Sequence, residues 1–351
     1  MRRYWKQLAK AAVLVTAFGD AGLAVDQKET PDAAVSVPAF SMPPSGYLSD
    51  AAKKRQAENM LVQHPSRAED ITVLRAFYDE QNSARAELMR QKYAVDVHAD
   101  TIAGVPVQIV EPKAGARPEQ AGRVLINLHG GAFMWGAGSG ELVEAIPIAA
   151  IGRMKVITLD YRMAPEHRFP AGSEDAFAVY KTLLESHAAT AIGIYGCSAG
   201  GVLTAQTTAL ILEKGLPAPG AIGTFCGTGI DYGGDSAVLD AALNGHVPFE
   251  PLTVGRLPYF SGVTMHDRLV TPGAFPDMLS RFPPTLLVAG SRDFAASALG
   301  KMHRNMKAVS AVSDLVLFDG LWHAFFMDAD LPESEEAYRI IVSFFDQHLS
   351  R

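Results

Sequence analysis

The sequence has little cysteine: the 351-residue chain contains two, Cys197 and Cys226. Each lies at the end of an apolar stretch that predicts a buried strand, so two buried free thiols are favoured and a single disulfide is the alternative. The chain also lacks an HExxH motif and any Cys/His cluster, so it contains no recognisable metal-ligand pattern. We therefore expect neither a metal ion nor an organic cofactor.

Basic stretches are also scarce. The chain has 31 Lys and Arg against 38 Asp and Glu, a net charge of −7, and its basic residues form no continuous stripe. Nucleic acid is therefore not an expected partner. The N-terminal apolar run is too short for a stable membrane span. A hydrophobic content of 48% excludes disorder over the whole length and allows a sizeable core.

The N-terminus has three parts: basic "MRRYWKQLAK", apolar "AAVLVTAFG" and small-residue "DAGLA". This order is typical of a secretory signal peptide and predicts one over residues 1–24, cleaved after Ala21 or Ala24. We expect a periplasmic or secreted protein, with a cytoplasmic enzyme bearing an N-terminal tail as the alternative. Residues 25–46, rich in Pro, Ala and Ser without periodicity, predict a flexible linker.

The remaining pattern predicts an α/β fold. Helical spacing over residues 47–94 predicts two or three helices, which we expect to contribute to a cap. "VDVHADTIAGVPVQIVEP" then predicts a β-hairpin, which Pro106 assigns to a sheet edge. Short apolar stretches alternate with helical segments after it, and this implies a parallel sheet covered on both faces. The stretches are "RVLINL", "KVITLD", "AIGIYG", "AIGTFCG", "PTLLVAG" and "SDLVLFDG"; the helices are Glu174–Ser186, Ala199–Glu213, Ala296–Val309 and Ser334–Leu349.

A long excursion interrupts this alternation between "AIGTFCG" and "PTLLVAG". So long a connection within a compact domain is usually functional. We expect a cap insertion at about residues 230–275, within a catalytic domain over residues 95–351.

One serine stands in an unusual setting, the stretch "IYGCSAGG". A strand, a sharp turn and a helix are predicted here, and this arrangement would lift Ser198 off the sheet. The following helix would direct its N-terminal N–H groups towards negative charge developing near the serine. The pattern G-x-S-x-G is weak alone, but its position between strand and helix favours a nucleophile.

A nucleophilic serine needs a base and an orienting acid. His323 follows the last predicted strand and Asp293 follows the strand before it, in positions where active-site loops emerge from a parallel sheet. The order Ser, Asp, His matches that of hydrolases built on such sheets. Asp319 is an alternative acid, and a packed loop histidine is the alternative interpretation of His323.

A tetrahedral intermediate also needs hydrogen-bond donors for its oxyanion. "INLHGGAFMWG" places a glycine-rich loop after a strand, so the candidate oxyanion-hole residues are Gly130, Gly131 and Ala132, joined by Ala199 after the nucleophile. A simple turn or a phosphate-binding loop is the alternative, but neither GxxxxGK[ST] nor GxGxxG is present here.

Four stretches carry a resemblance to a known family: "HGGAF", "DYRMAPEHRFPA", "GCSAGG" and "HAFF". In these the chain resembles the α/β-hydrolases of the hormone-sensitive-lipase group, the bacterial family IV carboxylesterases, over roughly Val95 to Leu349. The resemblance implies an α/β-hydrolase fold with a mostly parallel sheet of about eight strands, helices on both faces and a helical cap. It also implies that Ser198 attacks the ester carbonyl, His323 transfers the proton and Asp293 holds the imidazole.

Within the oxyanion loop the resemblance assigns the donors to Gly131 and Ala132, with Ala199, and the turn to Gly130. Further residues resemble structural braces of the active-site loops: Asp160, Arg162, Glu166, His129 and His167.

The chain departs from the family pattern at three places. Cys197 precedes the nucleophile where the family usually has Asp or Thr, and Ala132 replaces the third glycine of the oxyanion loop. The acid motif, commonly D-P-L-x-D, has Phe294 for Pro and Ser297 for the second Asp.

The expected function is therefore that of a serine carboxylic-ester hydrolase acting through an acyl-enzyme on small esters with short to medium acyl chains. One alternative is hydrolysis of another acyl bond, in an aryl amide, carbamate, lactone or thioester. A more remote one is a non-catalytic ligand receptor on this fold. A homodimer is common in the resembled family and is kept as a possibility.

Overall fold

The computed structural model describes residues 37, 39–65, 69–245 and 252–350. The predicted signal peptide over 1–24 and most of the predicted linker over 25–46 lie outside these residues, and the described part of the linker has no regular secondary structure. The chain divides into a unit Met1–Pro43 and a unit Pro44–Arg351, and the following concerns the second. In the described ranges, no helix has the length and apolar character needed to cross a membrane.

An eight-stranded sheet runs through this unit. Its strands are β1 (Val95–Ile102), β2 (Val105–Pro112), β3 (Val124–Leu128), β4 (Lys155–Leu159), β5 (Ile192–Cys197), β6 (Ala221–Phe225), β7 (Thr285–Gly290) and β8 (Ser313–Phe318). The spatial order is β1-β2-β4-β3-β5-β6-β7-β8. Strand β2 runs antiparallel to both of its neighbours, and every other neighbouring pair is parallel. The predicted mostly parallel sheet of about eight strands is confirmed.

The described residues also form nine α-helices. They are α1 (Asp50–Asn59), α2 (Ile71–Lys92), α3 (Ser139–Gly152), α4 (Ala171–Leu183), α5 (Ala199–Glu213), α6 (Asp235–Leu243), α7 (Pro276–Leu279), α8 (Ala296–Ala308) and α9 (Pro332–His348). Four of them match predicted helices to within three residues at each end. Helix α3 was not among the predicted helices.

Both faces of the sheet are covered, as the apolar strands predict. Along β3 the side chains alternate: Ile126 belongs to one core cluster, with residues of α4, α5 and α8, whereas Leu125 belongs to the other, with residues of α3 and α9. All five β3 side chains are buried, which is the burial pattern of a parallel strand between two helical layers. The sheet is therefore a rigid base whose carboxyl edge carries the loops.

The predicted β-hairpin forms one edge of the sheet, with β1 outermost. Pro106 lies on the inner strand β2, where it pairs with Thr101, but the ladder from β2 to β4 starts one residue later, at Val107. Proline has no N–H to donate, so it is tolerated at this position, before the ladder begins.

The two predicted cap segments are partly described. Residues 47–94 contain α1 and α2, and α2 packs against α3. Residues 230–275 contain α6 and three short 3₁₀ turns, while residues 246–251 of this segment lie outside the described ranges. Their function as a cap stays a prediction.

Candidate active site

Ser198 lies on the turn between β5 and α5, in the strained conformation that a nucleophile turn requires. Its backbone has φ 58° and ψ −121°, a left-handed conformation that costs an L-residue about 1–2 kcal/mol. The turn is fixed because the Ser198 N–H donates to the carbonyl oxygen of Phe225 at 2.8 Å. Gly200 permits it, since a Cβ there would lie 1.7 Å from the carbonyl oxygen of Leu128.

His323 and Asp293 reach Ser198 from the loops after β8 and β7. His323 Nε2 lies 2.9 Å from Ser198 Oγ, and its Nδ1 lies 2.9 Å from Asp293 Oδ1. The same Asp293 oxygen accepts the N–H of Ala295 at 2.8 Å. Three residues far apart in the chain thus form one continuous hydrogen-bonded series, at distances suited to proton transfer.

The imidazole of His323 is held in a setting that favours its charged form. Burial lowers its pKa, but the Asp293 carboxylate, by its charge and its hydrogen bond, outweighs burial and raises the pKa above the ordinary 6.5. Asp293 itself is fully buried. A buried carboxylate next to Nδ1 fixes the tautomer, because Nδ1 must then carry the proton and Nε2 is left to accept one.

The two residues that depart from the family's acid motif, Phe294 and Ser297, both make defined contacts. Phe294, in place of proline, stacks on the His323 ring with centroids 4.2 Å apart and planes inclined by 26°. Ser297, in place of the second Asp, accepts the backbone N–H of Ser236 at the start of α6, and Ser236 Oγ donates to the Phe294 carbonyl oxygen at 2.9 Å. These contacts attach the acid loop to α6.

Asp319, the alternative acid, does not contact the imidazole. Its exposed carboxylate accepts the hydroxyl of Ser291 at 3.0 Å and the hydroxyl of Ser45. The structure therefore brings Asp293, rather than Asp319, to His323.

The loop after β3 lies beside Ser198. A Cβ on Gly130 would lie 3.3 Å from the Ser198 Cβ, so loop and nucleophile turn are in close contact. Gly131 has φ 122° and Ala132 has φ 51°, and this tight reversal turns the loop back on itself. Among the described residues, the N–H groups of Gly131, Ala132 and Ala199 donate to no protein oxygen, so all three are free to bind an anion.

Gly130 differs from these three because its N–H faces a buried carboxyl group. Burial raises the pKa of the Glu144 carboxyl, on α3, to about 8. Hydrogen bonds from Asn127 and from the backbone N–H groups of Gly130 and Cys197 lower this pKa, but by less than burial raises it. Asn127 Nδ2 lies 3.4 Å from Glu144 Oε2. At neutral pH this carboxyl is therefore protonated, and it contacts the oxyanion loop and the nucleophile turn from behind. Sequence reasoning did not identify it.

His129 is buried beneath the same loop. Its ring stacks on Tyr161 with centroids 4.2 Å apart, and its Nδ1 lies 2.7 Å from the Gly130 carbonyl oxygen. Burial lowers its pKa to about 4, so the ring is neutral. These contacts suit the predicted brace, with Nδ1 carrying the proton that Gly130 accepts.

An arginine outside the recognised motifs holds two active-site loops together. Arg75 of α2 makes a two-pronged ion pair with Glu166, each N–O distance being 2.7 Å. Its Nε donates to the Met134 carbonyl oxygen at 2.8 Å and its Nη2 to the Ala164 carbonyl oxygen at 3.1 Å. Glu166 is thus a brace, as predicted, but its partner comes from an N-terminal helix.

The other predicted braces have different surroundings. Arg162 pairs with Asp175 at 2.8 Å and Glu174 at 3.3 Å, both on α4, rather than with another residue of its own motif. Asp160 and His167 are both exposed to solvent, and desolvation by neighbouring groups raises the pKa of the Asp160 carboxyl.

Both cysteines are free and buried, as favoured from the sequence. One group of three potential metal ligands occurs in the described chain, formed by Cys226, Asp293 and His323 with ligand atoms within 4.8 Å of one another. Two of the three already bind each other through the His323–Asp293 hydrogen bond.

Comparison with known proteins agrees with this geometry. Residues 125–327 match a family model described as an α/β-hydrolase fold. The chain is 32% identical over 243 residues to LipR of Mycobacterium tuberculosis, a protein carrying the name of an acetyl-hydrolase, covering 68% of this chain and 76% of that protein. It is 26% identical over 261 residues to an esterase of Acinetobacter venetianus, covering 73% and 84%.

Solved structures give the same result. Esterase E25 superposes with a TM-score of 0.77 at 28% identity, over 90% of this chain and 99% of that one. An esterase of the bacterial hormone-sensitive lipase family superposes with a TM-score of 0.72 at 23% identity, over 86% and 99%, a likeness that concerns the fold.

Proposed function

Because the chain belongs to the α/β-hydrolase fold family, we propose that it cleaves carboxylic esters through an acyl-enzyme formed on Ser198. The class of enzyme is that of a carboxylic-ester hydrolase, in agreement with its esterase and acetyl-hydrolase relatives. The observation that carries the assignment of residues is the hydrogen-bonded series from Ser198 through His323 to Asp293, with both contacts at 2.9 Å.

In the proposed mechanism, the Ser198 hydroxyl attacks the ester carbonyl while His323 Nε2 takes its proton. Asp293 accepts the hydrogen bond of Nδ1 and stabilises the imidazolium that forms. His323 then gives the proton to the departing alcohol, leaving the acyl group on Ser198. Water, deprotonated by the same imidazole, attacks this acyl-enzyme; the bond to Ser198 Oγ then breaks, the imidazolium returns its proton to that oxygen, and the acid is released.

The developing oxyanion would be bound by the free N–H groups of Gly131, Ala132 and Ala199. Donors of this kind contribute most when they are already oriented before the reaction. The positive φ angles at the first two residues, and the start of α5 at the third, provide this orientation. Gly130 shapes the turn, in line with its separate contact to Glu144.

The direction of the His323 pKa sets the expected dependence of activity on pH. The base must be neutral to accept a proton, and its pKa lies above 6.5 in the free enzyme. The value of kcat/KM should therefore rise through an apparent pKa higher than 6.5. A profile already flat at pH 6 would contradict this assignment.

We propose small uncharged esters with short to medium acyl chains as substrates, on the basis of the family resemblance. The test is a chain-length series of p-nitrophenyl esters, run beside a Ser198→Ala control and beside an aryl amide and a lactone of matched size. We expect turnover to fall as the acyl chain lengthens and to vanish in the control. Faster cleavage of the amide or lactone would instead favour another acyl bond.

We also propose that the protein is exported, on the basis of residues 1–24. Sequencing the N-terminus of the mature protein tests this: cleavage after Ala21 or Ala24 predicts a start at Gly22 or Val25, whereas a start at Met1 would contradict export.

A further inference from the structure

The catalytic acid of the proposed function has one oxygen that the Ser–His–Asp series leaves unexplained. Asp293 Oδ1 accepts from both His323 and Ala295. Its other oxygen, Oδ2, is buried and has no hydrogen-bond partner, sulfur included, among the described residues. A buried carboxylate oxygen without a donor is costly, so a nearby group that can turn a donor towards it would stabilise it.

The polar group that approaches this carboxylate is a thiol. Cys226 follows β6, is fully buried, and places its sulfur within 4.8 Å of a carboxylate oxygen of Asp293 and a ring nitrogen of His323. Its backbone is fixed because its N–H donates to the Val288 carbonyl oxygen of β7 at 2.8 Å, and its φ is 51°. The thiol is thus held in place by the two strands that precede the acid loop.

The pKa shifts of the two thiols indicate which group donates and which accepts. Burial, with smaller contributions from the charge of Asp293 and from a hydrogen bond to it, raises the pKa of Cys226 to about 11, as expected for a buried thiol beside a carboxylate. Cys197 and the backbone N–H of Ala324 act in the opposite sense, as groups that donate to the Cys226 sulfur. Ala324 adjoins His323 and Cys197 adjoins Ser198, so the groups that act on this thiol come from beside two members of the series.

Building on the proposed function, we propose that Cys226 is a positioning residue whose S–H donates to Asp293 Oδ2 and holds the carboxylate with Oδ1 towards His323. The thiol is a weak donor, but it is the donor that the buried site provides. By withdrawing some negative charge from the carboxylate, it also limits how strongly Asp293 raises the pKa of the imidazole. Cys197 in turn donates to the Cys226 sulfur and orients it.

Kinetics of Cys226→Ala and Cys226→Ser give the first test. Loss of one hydrogen bond predicts that Cys226→Ala lowers kcat by about fivefold, with KM little changed. It should also move the acid limb of kcat/KM to higher pH, because the unneutralised carboxylate favours the imidazolium more. Cys226→Ser retains a donor and should restore both values towards those of the wild type.

Two kinetic outcomes would overturn the proposal. One is a Cys226→Ala enzyme with the wild-type kcat and the wild-type pH limb. The other is a Cys226→Ser enzyme that behaves like the alanine variant, since the effect would then come from the lost volume of the sulfur. A variant that is only less stable, as measured by urea unfolding, would keep the wild-type acid limb of kcat/KM. A shift of this limb in Cys226→Ala that Cys226→Ser reverses therefore separates positioning from stability.

The S–H stretching band gives a second test that needs no activity. The whole chain has two cysteines, so in a Cys197→Ala background the band belongs to Cys226 alone. We expect it at lower frequency than that of a thiol without an acceptor, and we expect Asp293→Asn to move it upwards because an amide accepts more weakly. A band that Asp293→Asn leaves unmoved would refute the contact, whereas a moved band in an enzyme that cleaves no ester would refute only the proposed function.

Discussion

Replacing Glu144 by glutamine should make the protein more stable, and increasingly so as the pH rises. Burial raises the pKa of this carboxyl from 4.5 to about 8 in the folded protein. In the unfolded chain it ionises near its ordinary value, so between these two pH values the folded state holds a proton that the unfolded state has released. The free energy of unfolding then falls with rising pH, by about 1.4 kcal/mol per pH unit for one group.

The size of the effect follows from the two pKa values. The pKa of Glu144 rises from 4.5 in the unfolded chain to about 8 in the folded protein. At and above pH 8 the free energy of unfolding is therefore lower by at most about 5 kcal/mol. Glutamine has almost the same shape, retains an acceptor for Asn127 and has no proton to lose. The advantage of Glu144→Gln over the wild type should therefore grow by about 2–3 kcal/mol between pH 5.5 and pH 7.5.

The assay is equilibrium unfolding in urea at pH 5.5, 6.5 and 7.5, followed by tryptophan fluorescence, with refolding checked from the denatured side. Glu80→Gln, at an exposed position of α2, is the matched control for the removal of one carboxylate. If the advantage of Glu144→Gln did not change with pH, the Glu144 carboxyl would be ionised in the folded protein and this prediction would be refuted.

Three further substitutions test the site and its support. Asp293→Asn should keep the fold but lower kcat by about four orders of magnitude, as with other triad acids; steady-state kinetics with near-normal kcat would remove Asp293 from the acid position. Gly131→Val should abolish turnover in a folded enzyme, because a Cβ there would lie 1.9 Å from the Trp135 carbonyl oxygen, and retained turnover would exclude this loop as the oxyanion hole. Arg75→Gln should lose the half-exposed ion pair to Glu166 and the hydrogen bonds to the carbonyl oxygens of Met134 and Ala164. We expect a loss of about 1 kcal/mol from the ion pair and about 1 kcal/mol from each hydrogen bond; an unchanged free energy of unfolding in urea would contradict the bracing role.

Most of the fold could be predicted from the alternation of apolar strands and helices. The inner strands β3, β5, β6 and β7 are buried on both faces, and this burial produces the continuous apolar stretches that the sequence displays. The edge strand β8 is half-exposed, although its stretch is just as apolar. Helix α3 escaped prediction for the same physical reason. Eleven of its fourteen residues are buried and it contains Pro147, so it lacks the polar face whose spacing would reveal a helix.

The candidate site was predictable where local backbone chemistry demands particular residues. The turn around Ser198 and the loop at Gly131 need glycine because of close backbone approaches, and glycine-rich motifs are legible in a sequence. The contacts of Arg75, Glu144 and Cys226 with the active-site loops could not be predicted in this way. Their partners come from distant parts of the chain, and an arginine in a helix or a glutamate in an apolar stretch has no local signature until the fold brings it to a loop.

Trapping the acyl-enzyme shows whether Ser198 is the nucleophile. The enzyme is mixed with p-nitrophenyl butyrate, quenched in acid within the first turnover, and digested for mass spectrometry of the peptide that contains Ser198. We expect a butyryl group on Ser198, its absence in Ser198→Ala, and a stoichiometric burst of p-nitrophenol. A burst with the acyl group on another residue, or undiminished turnover in Ser198→Ala, would contradict it.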